Sequence, residues 1–128
     1  MTTSVPIATV DQFKRALLAV RDQGLPDSHL TLLRAQCRSP NSTITATQLA
    51  EAAGYRNYNA ANLQYGTLAF NVAGQLGFTP ETRPDGTPQC WTTLSYSTPN
   101  EPADAENEHF QFIMRPELVA ALRSMKWA

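Results

Sequence analysis

The sequence is short of charge. Only 16% of its 128 residues are Asp, Glu, Lys or Arg, against about 25% in an average soluble domain. The 10 basic and 11 acidic residues leave a formal charge of -1. The whole-domain positive field that draws most nucleic-acid binders to phosphate is therefore absent, and any such contact has to come from a local patch. Cysteine is scarce as well. Cys37 and Cys90 fall in different expected elements, make no disulfide framework, and read as buried thiols. No run of 18 apolar residues occurs, and residues 1–10 carry neither a basic segment nor a long apolar stretch. Neither membrane insertion nor export is expected, and a cytoplasmic protein is the simplest reading.

Catalytic patterns are missing too. The two histidines, His29 and His109, lie about eighty positions apart with no second His or Cys pair at metal-binding spacing, so both read as surface or cap residues. There is no G-x-S-x-G, phosphate-binding loop, dinucleotide fingerprint or C-x-x-C. The residues thus offer no catalytic group, no metal site and no cofactor, and an enzyme is not expected. Gly74 and Gly77 form a G-x-x-G, but at a helix end, where packing and termination explain it.

What is present is 42% apolar residues, enough for one ordinary core, so residues 1–128 are expected to form a single domain. The expected class is α+β: mainly helical, with a helix-turn-helix or winged-helix-like core, an antiparallel β-hairpin and a C-terminal helix. Thr9 with Gln12 fits a capping box ahead of Phe13, Leu17 and Val20, predicting a helix over 11–23 that Gly24 stops. Asp27 is placed to cap a second helix over 28–38, whose apolar face is Leu30, Leu33 and Cys37. Thr45 with Gln48 forms another capping box, for a short helix over 46–54 closed by Gly54. After a tight connector, Asn59 can cap a longer helix over 59–76 that buries Tyr65, Leu68, Val72 and Leu76 before Gly77.

Helical periodicity fails at 79–89, which holds three prolines, and the stretches 90–97 and 109–115 read as paired antiparallel strands. The segment 98–108 between them holds four acids and no base, and reads as a solvated hairpin loop that could instead mimic phosphate or dock a basic partner. Pro116 and Glu117 suit the start of a last helix over 116–126.

A short helix, a short turn and a longer helix make the geometry that presents the start of the second helix to the DNA major groove. Arg56, Tyr58, Asn59, Asn62 and Gln64 are the candidate contacts there, with Asn71 further along. Asn and Gln can bond adenine through two hydrogen bonds, and a helix N-terminus favours phosphate. Tyr55, Tyr58 and Tyr65 surround the same turn, Tyr58 being expected on the surface and Tyr65 in the core. Against this stands the complete lack of Lys and Arg over 57–81, because phosphate neutralisation supplies much of ordinary DNA affinity. Arg34, Arg38 and Arg83 would help only if the fold gathers them.

The run ITATQLAEAAGYRNYNAANLQYGTLA, the later RPDGTP-x-CW and the closing F-x-x-x-MRPELVAAL resemble the non-catalytic module found in front of HNH nuclease domains in some bacterial restriction-like proteins. The likeness covers about residue 32 to the C-terminus. It implies a DNA-recognition or targeting role without nuclease activity, since neither His29 nor His109 sits in an HNH motif. The uncharged stretch 67–75 departs from what a DNA-facing helix would carry.

The leading expectation is a non-enzymatic module that binds DNA through the helix pair and a hairpin wing. The alternative is a protein-interaction factor that inhibits or regulates a nucleic-acid enzyme. A DNA reader should show salt-dependent affinity, and an interaction factor an exposed apolar patch.

Overall fold

The computed structural model describes residues 6–97 and 110–128; the expected acidic loop over 98–108 and His109 lie outside them. In chain order the elements are α1 (Val10–Asp22), α2 (Asp27–Arg38), β1 (Thr43–Thr45), α3 (Ala46–Ala53), α4 (Tyr58–Leu76), β2 (Ser95–Tyr96), β3 (Gln111–Met114) and α5 (Pro116–Ser124).

Local chemistry sets the helix ends. Both capping boxes form: the Thr9 and Thr45 hydroxyls accept from the amides of Gln12 and Gln48, and each Gln side chain accepts from the amide of its Thr in return. Each box satisfies two amides that a helix start leaves without partners. Gly54 ends α3 with φ 76° and Gly77 ends α4 with φ 72°, left-handed values that cost other residues energy.

Two expected caps differ. Asp27 is the first residue of α2 and Pro26 precedes it as the cap; the carboxylate complements the helix dipole without bonding an amide. At α4 the cap is Asn57, whose side-chain oxygen accepts from the Ala60 amide at 3.0 Å. Asn59 is already inside the helix, because Asn57 has the extended backbone (φ -158°, ψ 176°) that a cap requires.

The sheet has the order β1-β3-β2, both pairings antiparallel. The expected pairing of 90–97 with 109–115 is present, but shorter. Cys90–Thr93 is a 3-10 turn, not strand, held by Thr92 N to Gln89 O at 3.1 Å and Leu94 N to Trp91 O at 3.1 Å. The Thr92 hydroxyl also donates to Gln89 O at 2.7 Å, a local bond that competes with extended structure. The sequence reading also missed β1. Asn41 and Ser42, at φ 56° and 52°, reverse the chain after α2 and lay Ile44 opposite Phe112.

Helix, strand, helix, turn, helix, then two further strands, with the first strand beside the last, is a winged-helix-like core: α2, α3 and α4 are its three helices and β1, β3 and β2 its sheet. α1 and α5 pack together beside it, and α1 also reaches α4. The core runs through all of these elements, with Phe13, Leu32, Leu33, Leu49, Leu68 and Leu118 completely buried.

A closed ring of hydrogen bonds fastens α4 to the sheet. Tyr65 Oη donates to Gln36 Oε1 at 2.6 Å and Gln36 Nε2 donates to Ser95 Oγ at 2.9 Å. The Ser95 hydroxyl must then give its own hydrogen to Tyr65 Oη, 2.5 Å away. Gln36 Nε2 also donates to the Phe112 carbonyl at 3.1 Å. All three side chains are buried, and burial pushes the Tyr65 hydroxyl far above its ordinary pKa, so it stays a donor. Around the ring, Tyr65, Trp91, Phe110 and Phe112 stack edge to face or tilted with centroids 5.0–5.6 Å apart, contacts worth about 0.5–1.5 kcal/mol each beyond their buried area.

Candidate nucleic-acid interface

The candidate surface begins at the turn between α3 and α4. Arg56 and Asn59 are exposed there, and Asn62 is half-buried. Tyr58 is half-buried against the core, as is Tyr55, so neither is the freely exposed ring expected of Tyr58; Tyr65 is in the core as expected. Gln64 turns the other way. Its Oε1 bonds His29 Nε2 of α2 at 2.8 Å, which fixes Nε2 as the donor. His29 is 3% exposed, not the surface or cap residue expected, because it fills the α2–α4 contact. The structure thus gathers Arg56, Asn59 and Asn62 along the start of α4 and ties the half-buried Gln64 to His29 of α2.

Further along α4 the outward face is apolar. Leu63 is 67% exposed and Phe70 63%, with the exposed Thr67 between them. The Thr67 hydroxyl donates back to the Leu63 carbonyl at 3.0 Å. Gly66 lies on the same stretch, and a Cβ built there would meet nothing within 4 Å. No residue of α4 carries a charge. The inner face is the one the spacing predicts, with Tyr65, Leu68 and Val72 buried and Leu76 half-buried; the apolar residues on the outer face are an addition to that pattern.

Opposite stands a wall made by the segment between α4 and β2. Its base is a tight turn: Arg83 N bonds Thr87 O at 2.8 Å, and Asp85 Oδ1 accepts from the Thr87 amide at 2.9 Å and hydroxyl at 2.7 Å. Those two bonds hold the Asp85 carboxyl below its ordinary pKa. Arg83 Nη1 braces the turn by donating to the Pro88 carbonyl at 3.0 Å. Between wall and helix is an open cleft of about 580 Å³, lined by Asn59, Asn62, Gly66 and Phe70 on one side and by Arg83, Cys90 and Trp91 on the other.

Cys90 is half-buried, more open than the buried thiol expected, whereas Cys37 is buried as expected. Burial raises the Cys90 thiol pKa, and the positive Arg83 opposes that only in part. The Trp91 indole N–H is buried and meets no acceptor among the described residues.

The other bases are not gathered here. Arg34 Nε donates to the Trp127 carbonyl at 2.7 Å, tying it to the C-terminal segment. Arg115 is buried, donates through Nε to Thr92 O at 2.9 Å, and is pulled below its ordinary pKa by desolvation, with Glu117 opposing. Arg83 is the cleft residue that the sequence places only conditionally, Trp91 falls in the 90–115 hairpin expected at the surface without being singled out, and Leu63 and Phe70 were not expected at the site. The signal available was Phe70, which sits outside the inward spacing of Tyr65, Leu68 and Val72.

Among the described residues no group of three His, Cys, Asp or Glu side chains could hold a metal ion, and no helix is long and apolar enough to cross a membrane. Comparison with known proteins finds no matching family model, no matching curated protein and no matching solved structure.

Proposed function

We propose that the chain is a non-enzymatic DNA-recognition module that reads duplex DNA with the outward side of α4, a targeting role of the kind its resemblance implies. The observation that carries this reading is the topology: α4 is the third helix of the winged-helix-like core, with Arg56 and Asn59 exposed at its start. In helix-turn-helix folds this helix enters the major groove and its first residues meet base edges. Fold alone does not define function; here the exposed amide of Asn59 is of the kind that bonds adenine. Arg56, exposed at the turn before α4, and Arg83, on the wall of the cleft, would supply the phosphate contacts.

With about two phosphates neutralised, the logarithm of affinity should fall with the logarithm of salt at a slope of only about -2. Fluorescence anisotropy of a labelled random-sequence duplex at low and moderate salt tests this, with an Arg56→Ala/Asn59→Ala variant beside the wild type. Weak binding with a shallow slope, lost in the variant, is the expected result. Absence of binding at low salt would sink the proposal.

A second reading, a factor that contacts or regulates a nucleic-acid enzyme, is favoured by the exposed Leu63 and Phe70, since a paired apolar patch is a feature of protein interfaces. It predicts no duplex binding and loss of partner capture on replacing both residues.

A further inference from the structure

Two of the three large apolar side chains exposed among the described residues, Leu63 and Phe70, stand on one uncharged helix face beside Asn59. Solvation alone would favour polar residues there, as on any surface helix. We propose that this face reads pyrimidine C5-methyl groups in the major groove, those of thymine in A·T steps, with Asn59 taking the adenine edge. The inference rests on the DNA reading above and deepens it.

Thymine is the DNA base that presents an apolar group in the major groove, and apolar side chains are its natural contacts, as Asn is for adenine N6 and N7. Leu63 and Phe70 are seven residues apart, about 10.5 Å along the axis at the usual helical rise, or about three base steps at 3.4 Å each. Gly66 lies between them on the cleft side. Glycine costs a helix about 0.5–1 kcal/mol relative to alanine, and no neighbour within 4 Å requires its missing Cβ. A bare backbone beside the two apolar side chains lets the helix settle close against base edges.

A helix with its side chains is about 10–12 Å across and the groove about 12 Å wide. The wall of the cleft must therefore sit outside the groove, over the sugar–phosphate backbone. The charge it carries into the cleft is that of Arg83, complementary to phosphate. Charge complementarity at the edge and apolar complementarity at the centre point to the same occupant.

The same methyl is borne by 5-methylcytosine, so the experiment uses four alternating duplex copolymers: dA-dT, dA-dU, dG-dC and dG-5-methyl-dC, titrated at low salt with wild type and with Leu63→Gln/Phe70→Gln. Uracil keeps every hydrogen-bonding edge and lacks only the methyl. At about 0.8 kcal/mol per buried carbon, wild type should bind dA-dT about fourfold more tightly than dA-dU for each methyl contacted, or about fifteenfold for two. The variant should bind the two alike, and dG-5-methyl-dC should bind more weakly than dA-dT. Equal binding of dA-dT and dA-dU, with random-sequence duplex still bound, overturns the methyl inference and leaves the DNA reading intact. Tighter binding to dG-5-methyl-dC than to dA-dT overturns the assignment to thymine and adenine. Failure to bind either the copolymers or random-sequence duplex overturns both readings.

Discussion

α1 and α4 bury comparable apolar faces and differ in what they turn outward. α1 buries Phe13, Ala16, Leu17 and Val20 and exposes Asp11, Gln12, Arg15, Arg21 and Asp22, with Arg21 and Asp22 paired at 3.2 Å on the surface. α4 buries Tyr65, Leu68 and Val72 and exposes Asn59, Leu63, Thr67 and Phe70 without one charge. The outer face of α1 only has to be wet, and charged side chains with weak surface pairs suffice for that. The outer face of α4 instead leaves large apolar side chains in solvent, and with the wall at 83–91 it lines a cleft of about 580 Å³ that also holds Asn59 and Asn62. Inner faces hold the fold, whereas under the proposed function the outer face of α4 would serve recognition; substitutions that separate the two test the distinction.

The largest effect should come from the inner face. Leu68 is completely buried, so Leu68→Ala should cost about 2–5 kcal/mol in denaturant unfolding through lost transfer energy and a residual cavity. A cost under 1 kcal/mol would mean that α4 packs far more loosely than described.

Next comes the polar ring that fastens α4 to the sheet. Tyr65→Phe removes the donor to Gln36 Oε1 and the acceptor for Ser95, leaving both buried, at about 1–3 kcal/mol. Ser95→Ala should cost a similar amount. Because the three bonds form one ring, the double variant should cost clearly less than the sum of the two; strict additivity would show that the ring does not act as a unit.

This ring marks the boundary of what the sequence could reveal. Helix stops and two caps were legible because each is a contact three or four residues long: Thr9 with Gln12, Thr45 with Gln48, Gly54 and Gly77. Asn57 was passed over for Asn59 because both are cap-forming residues two apart, and only the backbone chooses between them. Gln36, Tyr65 and Ser95 lie 29–59 residues apart, and nothing local to any of them announces the others. The same holds for His29 with Gln64, two residues read as surface groups that satisfy each other instead. β1 escaped because three residues are too few to show alternation, and Trp91 was read as strand because its β propensity carries no trace of the 3-10 turn that aims it at Phe110 and Phe112. Of the expected site, the start of α4 was legible and its opposite wall was not, since the wall exists only once the turn at 83–87 folds back.

A smaller effect, of opposite sign, is expected at Gly66. Gly66→Ala should stabilise the protein by roughly 0.5–1 kcal/mol, because the helix gains from the substitution and the new Cβ meets nothing within 4 Å. Thermal or denaturant unfolding checks this. Destabilisation would show that the fold itself needs the bare backbone there, and would remove the reason to connect the glycine with close approach of a ligand.

The smallest effect on stability is expected where the effect on function should be greatest. Leu63→Gln and Phe70→Gln replace side chains that are 67% and 63% exposed, so each should change unfolding free energy by no more than about 0.5 kcal/mol. Leu18→Gln on α1, at a position 37% exposed, is the matched control and should be similarly mild. If the outer faces of the two helices are equivalent, all three variants will also leave duplex binding unchanged. If α4 alone is composed for contact, Leu63→Gln and Phe70→Gln will lose duplex affinity while Leu18→Gln keeps it. A loss of affinity that tracked a loss of stability would instead mean that Leu63 and Phe70 are packing residues, and the contrast between α1 and α4 would fail with it.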